Sequence, residues 1–428
     1  MDASQLRDIH LRLSTLAVFR ALLEDEVVSS LNLAVARAAV VAEGARTRGT
    51  ADAGAPHAGA PHADAYELSL GYAEFVSRLF ACGAPSLAAY VLGAVLEDEN
   101  VYLRLMGEGK TPPEPVAAAV RRELETLQLV ADLTPDDFTS LLPEAMARVL
   151  PSFGVERIDV AGIYRERVES IGRHGWGIYA RYDVFRVDAE GSIVPVRHPD
   201  AQRLDDLVGY EREKGIILEN TRALLRGLPA ANILLTGDAG TGKSSTVKAV
   251  ANELAPEGLR ILEVRKEQLH DIPSILDELT RNPLKFVIFI DDLSFAAEDD
   301  NFAALKAILE GSVSAKSANV VIYATSNRRH LVRERFSDRE GDDIHLRDTI
   351  QEIISLSDRF GIRVTFSKPD KAAYLDIVRR LAAESGIEME DDELDLAAER
   401  FATRRGGRSA RGARQFVDSL VRAREEDA

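Results

Sequence analysis

Along the first part of the chain, apolar residues recur at helical spacing. Leu6, Ile9, Leu13, Leu16 and Leu23 follow one another at steps of three, four and seven, which puts them on one helical face and predicts helix over 4–43. The pattern then stops. Gly-Ala-Pro-His-Ala stands at 54–58 and again at 59–63, so 49–65 reads as a low-complexity linker without enough apolar surface to fold. Helical periodicity returns from Tyr66 to Leu150, broken at Gly83-Ala84-Pro85 and Thr111-Pro112-Pro113, with Thr134-Pro135-Asp136 as a helix start. Ile178 to Val187 is rich in β-branched and aromatic residues, Asp188 to Gly191 makes a turn, and Ser192 to Val196 pairs back as a hairpin.

Beyond Pro199 the pattern changes to short apolar runs separated by helical segments. The runs are Asn232–Thr236, Leu259–Val264, Phe286–Ile290, Asn319–Thr325 and Ile362–Phe366. Such runs suit strands buried on both faces, so the expected fold is α/β with a parallel five-stranded sheet. Lys368 to Arg424 reads as a small all-helical lid. The expected segments are 1–48 (helical), 49–65 (linker), 66–175 (helical), 176–200 (hairpin and connector), 201–367 (α/β) and 368–428 (lid).

Composition adds limits. The 428 residues include 46% hydrophobic and 29% charged, ordinary for a globular chain of two or three domains. A net charge of −17 disfavours a whole-surface grip on a polyanion. The single cysteine, Cys82, excludes an internal disulfide and is expected to be buried at the end of an apolar helix. Leu31 to Ala42, interrupted by Arg37, is too short for a bilayer span, and the charged N-terminus has no signal-peptide core. No membrane association is therefore expected, and the cytoplasm is the expected location. His57 and His62 invite a metal reading, but they sit in the duplicated low-complexity tract, and a plain linker is the favoured reading.

The chemistry lies in the α/β part. Strand Ile233-Leu234-Leu235 leads into Gly237-Asp238-Ala239-Gly240-Thr241-Gly242-Lys243-Ser244, followed by Ser245 and a helix. This is G-x-x-x-x-G-K-S in its strand–loop–helix setting. Glycines let backbone N–H groups curl around phosphate oxygens, and the helix N-terminus adds a favourable dipole. Lys243 is expected on the β- and γ-phosphates of ATP and Ser244 on Mg²⁺. Phe286 to Ile290 ends in Asp291-Asp292, which puts carboxylates at the sheet edge where ligands bind. Asp291 is the expected magnesium partner and Asp292 the residue that orients and polarises the attacking water.

With these motifs the chain resembles the AAA+ ATPases, most closely an uncharacterised bacterial family of them, from about Leu204 to Leu420, and the preceding hairpin also looks similar. The resemblance implies further roles. Leu204-Asp205-Asp206-Leu207-Val208-Gly209-Tyr210-Glu211 looks like the lead-in that packs near adenine, with Gly209 in the binding site. Asn327, in Ala324-Thr325-Ser326-Asn327, looks like the sensor that places the water. Arg359, in Ser357-Asp358-Arg359-Phe360-Gly361, resembles the finger that reaches a neighbouring subunit's γ-phosphate, with Arg335 and Arg339 as rivals. Gly406 to Phe416 looks like the second sensor region, with Arg414 as first choice and Arg411 as second. Two departures stand out: Asp292 replaces the usual glutamate, and Arg265 to His270 lacks the aromatic–apolar–glycine tip of peptide-threading unfoldases.

These features imply an ATPase that assembles into a homo-oligomeric ring, such as a hexamer, and remodels or switches an unknown protein partner held by the N-terminal helices. The alternatives are a nucleic-acid-associated loader with slow turnover, suggested by the arginines from Arg400 to Arg414 but not favoured, and an ATP-binding scaffold without turnover.

Overall fold

The computed structural model describes residues 1–50, 60–293, 300–310, 318–327 and 359–426, which form two units, Met1–Arg181 and Tyr182–Ala428.

The first unit is helical. Its principal helices are α1 (Ala3–Ser14), α2 (Glu26–Thr50), α3 (Ala60–Ala81), α4 (Leu87–Glu97), α5 (Val101–Gly107), α6 (Glu114–Ala131) and α7 (Val160–Glu169). Local chemistry sets several starts: Asp2 and Gln5 form a capping box on α1, and Ser86 and Asn100 accept the N–H groups of Ala89 and Leu103. The continuous helix expected over 4–43 is interrupted between α1 and α2. There the buried carboxylate of Glu123 on α6 accepts the N–H groups of Ala17, Val18 and Phe19 at 2.9–3.2 Å. These bonds offset its burial and pin the connection. Tyr72, Phe75, Phe138 and Phe153 form an aromatic cluster in the core, with ring centroids 5.3–6.5 Å apart.

Helices α2 and α3 run antiparallel, tied by Arg37–Glu67 at 3.1 Å and Arg78–Glu26 at 3.6 Å. Three expectations are corrected here. Helix α3 starts at Ala60, so the end of the expected linker is helical. Cys82 is exposed, because the helix stops at Ala81 and the chain turns at Gly83 with φ +68°. By length and composition alone, Glu26–Arg46 of α2 is long and apolar enough to cross a membrane, where the sequence reading took a shorter stretch; half of it is buried within the protein. His57 lies outside the described residues, and His62 is exposed.

The second unit is an α/β layer with a helical lid. Its strands are β1 (Val184–Val187), β2 (Ile193–Pro195), β3 (Ile233–Gly237), β4 (Leu259–Glu263), β5 (Lys285–Ile290), β6 (Val320–Ser326) and β7 (Ile362–Phe366). The helices between them are α8 (Glu211–Leu225), α9 (Lys243–Leu254), α10 (Ile272–Leu279) and α11 (Asp300–Glu310); α12 (Lys371–Glu384), α13 (Asp391–Arg404) and α14 (Ala410–Glu426) form the lid. The sheet order is β2-β1-β4-β5-β6-β3-β7, and only β1 and β2 are antiparallel. The five expected parallel strands are present, but the hairpin is not a separate piece. β1 pairs in parallel with β4, Val184 opposite Ile261, and extends the sheet to seven strands. Arg260, buried on β4, secures that edge through Asp183 at 3.1 Å. The expected strand from Ile178 begins only at Val184, and Ile178–Arg181 is a helical turn in the first unit.

β5 and β6 are almost wholly buried, as their unbroken apolar runs require. The parallel strands β3, β5 and β6 end at one edge, and the chain leaves β3 there for a distant β4. Such a switch point opens a crevice beyond the strand ends.

Candidate functional site

The loop after β3 is shaped by glycine. Gly237, Gly240 and Gly242 have φ of +142°, +78° and +94°, conformations that L side chains rarely adopt. A Cβ on Gly237 would sit 2.0 Å from the Phe366 carbonyl oxygen, so β7 requires glycine there as well. The loop feeds α9, whose first turn carries Lys243, Ser244 and Ser245.

Lys243 is buried, and its ammonium donates to Gly237 O at 2.8 Å, Asp238 O at 2.9 Å and Asn327 Oδ1 at 3.0 Å. Burial pushes its pKa down, against the attraction of Asp291, Asp238 and Asp292, while Arg411 adds to the lowering. The Ser244 hydroxyl donates to Asp291 Oδ1 at 2.6 Å. Thr325, buried on β6, donates to the same oxygen at 2.5 Å and accepts the Asp292 N–H at 2.9 Å. Asp292 has φ +52°. Asn327 donates through Nδ2 to Asp292 Oδ1 at 2.6 Å, so one amide bridges Lys243 and Asp292.

These groups face a cleft of about 590 Å³ that the loop, the 207–210 segment and the lid enclose. Gly209 and Tyr210 line it; Tyr210 sits at φ +60°, its ring 5.0 Å from Phe366 and its hydroxyl bonded to Ser367 O at 2.7 Å. Burial, then Glu213 and Asp238, push the Tyr210 pKa up to about 12. Ile377 and Leu381 add an apolar wall from α12, and Arg411 and Arg414 project from α14. The lid also touches the loop through backbone: Arg411 N–H donates to Gly240 O at 3.1 Å. This satisfies one of the N–H groups that a helix start leaves unpaired.

The structure thus brings together Gly209, Ala239, Gly240, Thr241, Gly242, Lys243, Ser244, Ser245, Asp291, Asp292, Asn327 and Arg414, with the Gly237 and Asp238 carbonyls at the loop's root. Half-buried Arg359 is not among the residues that line the cleft. Arg335 and Arg339 lie outside the described residues. Sequence reasoning assigned no role to Thr325, to the Ile377–Leu381 wall, or to Lys214, whose buried ammonium donates to Leu207 O and Glu211. The β-strand register was the signal for Thr325, since Ile290 opposite Ala324 puts Thr325 beside Asp291. Lys214 carried no signal.

A family described as "Protein of unknown function (DUF815)" matches residues 180–424, more than half of the chain. The chain belongs to the DUF815 family. With its glycine loop, carboxylate-tipped strand and helical lid, this DUF815 chain is a member of the AAA+ ATPase superfamily and has its nucleotide-binding fold. It is similar to the Holliday junction branch migration complex subunit RuvB of Salinibacter ruber, 26% identical over 198 residues, 42% of this chain and 57% of that protein. The chain therefore spans little more than half the length of that relative. Among solved structures, the Thermotoga maritima RuvB Holliday junction branch migration motor is 20% identical, with a TM-score of 0.33, over 51% of this chain and 63% of its own. The FIGL-1 AAA domain in complex with ADP is 18% identical, with a TM-score of 0.36, over 53% and 74%.

Proposed function

We propose that this protein binds Mg-ATP in the cleft and hydrolyses it to ADP and phosphate. The carrying observation is the convergence of the Ser244 hydroxyl and the Asp291 carboxylate, 2.6 Å apart, at the mouth of a glycine loop whose lysine is bonded to Asn327. Magnesium fits this site: its donors are hard oxygens, and the turn beside them is one that only glycines form readily. When bound, the ion neutralises charge on the phosphate oxygens.

The remaining work falls to the chain. Backbone N–H groups of 239–243 and the start of α9 cradle the phosphates, and Lys243 exchanges Asn327 for a phosphate oxygen. Asn327, so released, and Asp292 are then positioned to hold a water molecule in line for attack, with Asp292 as the polarising base. Ile377, Leu381 and the 207–210 segment exclude water from the base. Arg414 and Arg411 supply positive charge from the lid, and Arg359 is proposed to act on a neighbouring subunit's nucleotide in a homo-oligomeric ring.

Titration calorimetry with ATP, with and without magnesium, tests the reading. The parent chain is expected to bind in a magnesium-dependent manner and Lys243→Ala to lose binding. Asp292→Asn is expected to bind but to release phosphate about 10²–10⁴-fold more slowly. Equal binding by parent and Lys243→Ala would overturn the site.

The energy released is proposed to remodel or switch a macromolecular partner of the N-terminal helices. A nucleic-acid partner is the second reading, favoured by similarity to a protein named for Holliday junction branch migration. Against it, Arg411 and Arg414 line the cleft and Arg408 is paired with Glu399 at 2.7 Å, which divides the basic stretch. An ATPase rate unchanged by DNA and RNA would eliminate that reading.

A further inference from the structure

We infer that the outer face of α3 docks antiparallel against the same face of a second copy of this chain. Ala63, Tyr66, Leu70, Ala73, Ser77 and Phe80 recur along α3 at alternating steps of three and four, the spacing of a coiled-coil seam. The opposite face, with Leu68, Tyr72, Phe75 and Leu79, is buried in the core. The seam is not: Tyr66 is 56% exposed, Leu70 48% and Phe80 54%, and Ala63 and Ser77 are exposed as well. A helix that packs on one side needs one apolar stripe. α3 carries two, and only one has a partner among the described residues. Neighbouring α2 has no equivalent, because Arg37 stands between its exposed Leu33 and Val40 and lies across Gly71 to reach Glu67.

Side-chain size identifies the occupant. When a second α3 is turned antiparallel about an axis between Gly71 and Tyr72, Phe80 meets Ala63, Tyr66 meets Ser77 and Leu70 meets Ala73. Each large side chain then opposes a small one, the condition for interdigitation. Parallel alignment instead stacks Tyr66 on Tyr66 and leaves gaps between facing alanines. The face is thus complementary to itself in one orientation, as a two-fold interface requires.

From Ala63 to Phe80 the seam is about 27 Å long at ~1.5 Å per residue. That is shorter than freestanding coiled coils, so the pair is a small, reversible interface of the transient class. It involves no residue of the nucleotide cleft and is independent of the proposed ATPase activity.

The test uses the full chain without nucleotide, with Cys82→Ser to remove the native thiol. One preparation carries Tyr66→Cys and another Ser77→Cys. Under mild oxidation the mixture is expected to give a disulfide-linked dimer at several-fold higher yield than either preparation alone, because these two positions face each other across the axis. Cross-linking by Tyr66→Cys alone at that yield would show a parallel pair and overturn the assignment; no cross-linking in any sample would overturn the docking. In sedimentation velocity without nucleotide, Leu70→Glu, on an exposed site, is expected to raise the dissociation constant at least tenfold. An unchanged sedimentation profile for Leu70→Glu would also overturn the proposal.

Discussion

Among the described residues, Tyr210 and Asp292 are the two non-glycine residues with positive φ, and both line the cleft. Backbone in that region costs on the order of 1 kcal/mol and persists where neighbours hold it. For Asp292 the holder is Thr325, which accepts its N–H and donates to Asp291. Thr325→Val keeps the shape but removes both bonds. It is expected to raise the magnesium concentration needed for ATP binding and to slow phosphate release about tenfold, with Thr325→Ser recovering most of the loss; steady-state assays across a magnesium series check this. The loop residues and Asp291 were legible in the sequence because their chemistry sits in contiguous motifs. Thr325 was not, since its partner lies on another strand and the pairing register brings them together.

At the scale of elements, the glycine loop and β7 depend on one another. Gly237→Ala would drive a methyl into the Phe366 carbonyl and hold alanine at φ +142°. The expected cost is about 2–4 kcal/mol, read as a lower midpoint in urea unfolding with an unchanged slope. In the lid, Glu399 and Arg408 join α13 to the segment before α14 through two bonds of 2.7 and 2.8 Å. The hydrogen bond from Arg408 holds the Glu399 carboxyl below its ordinary value of 4.5. A carboxylate depressed in this way contributes stability above its unfolded pKa and loses it as pH falls through the lower folded one. Glu399→Gln is therefore expected to melt earlier than the parent at neutral pH, with the difference closing below the ordinary carboxylate range; thermal scans at several pH values read this directly. Elements with strong local patterns, such as β5 and the lid helices, were readable in advance. The hairpin's place in the sheet was not, because β1 acquires its meaning from β4, far along the chain. The break between α1 and α2 was hidden too, since Glu123 fixes it from a distant helix.

For the whole molecule, the cleft and the α3 seam lie in different units and call for separate experiments. The trans role proposed for Arg359 is tested by mixing. Arg359→Ala and Asp292→Asn are each expected to be nearly inactive alone, while their mixture recovers measurable phosphate release through interfaces that pair an intact finger with an intact base; no recovery would remove the assignment. The link between Arg411 N–H and Gly240 O has a different character, because main-chain atoms alone make it. Drift in the side chain at 411 leaves it untouched, and among single replacements at that position only proline deletes the donor. Mutational scans that stop at alanine would therefore miss this grip of the lid on the loop, whereas Arg411→Pro beside Arg411→Ala would expose it.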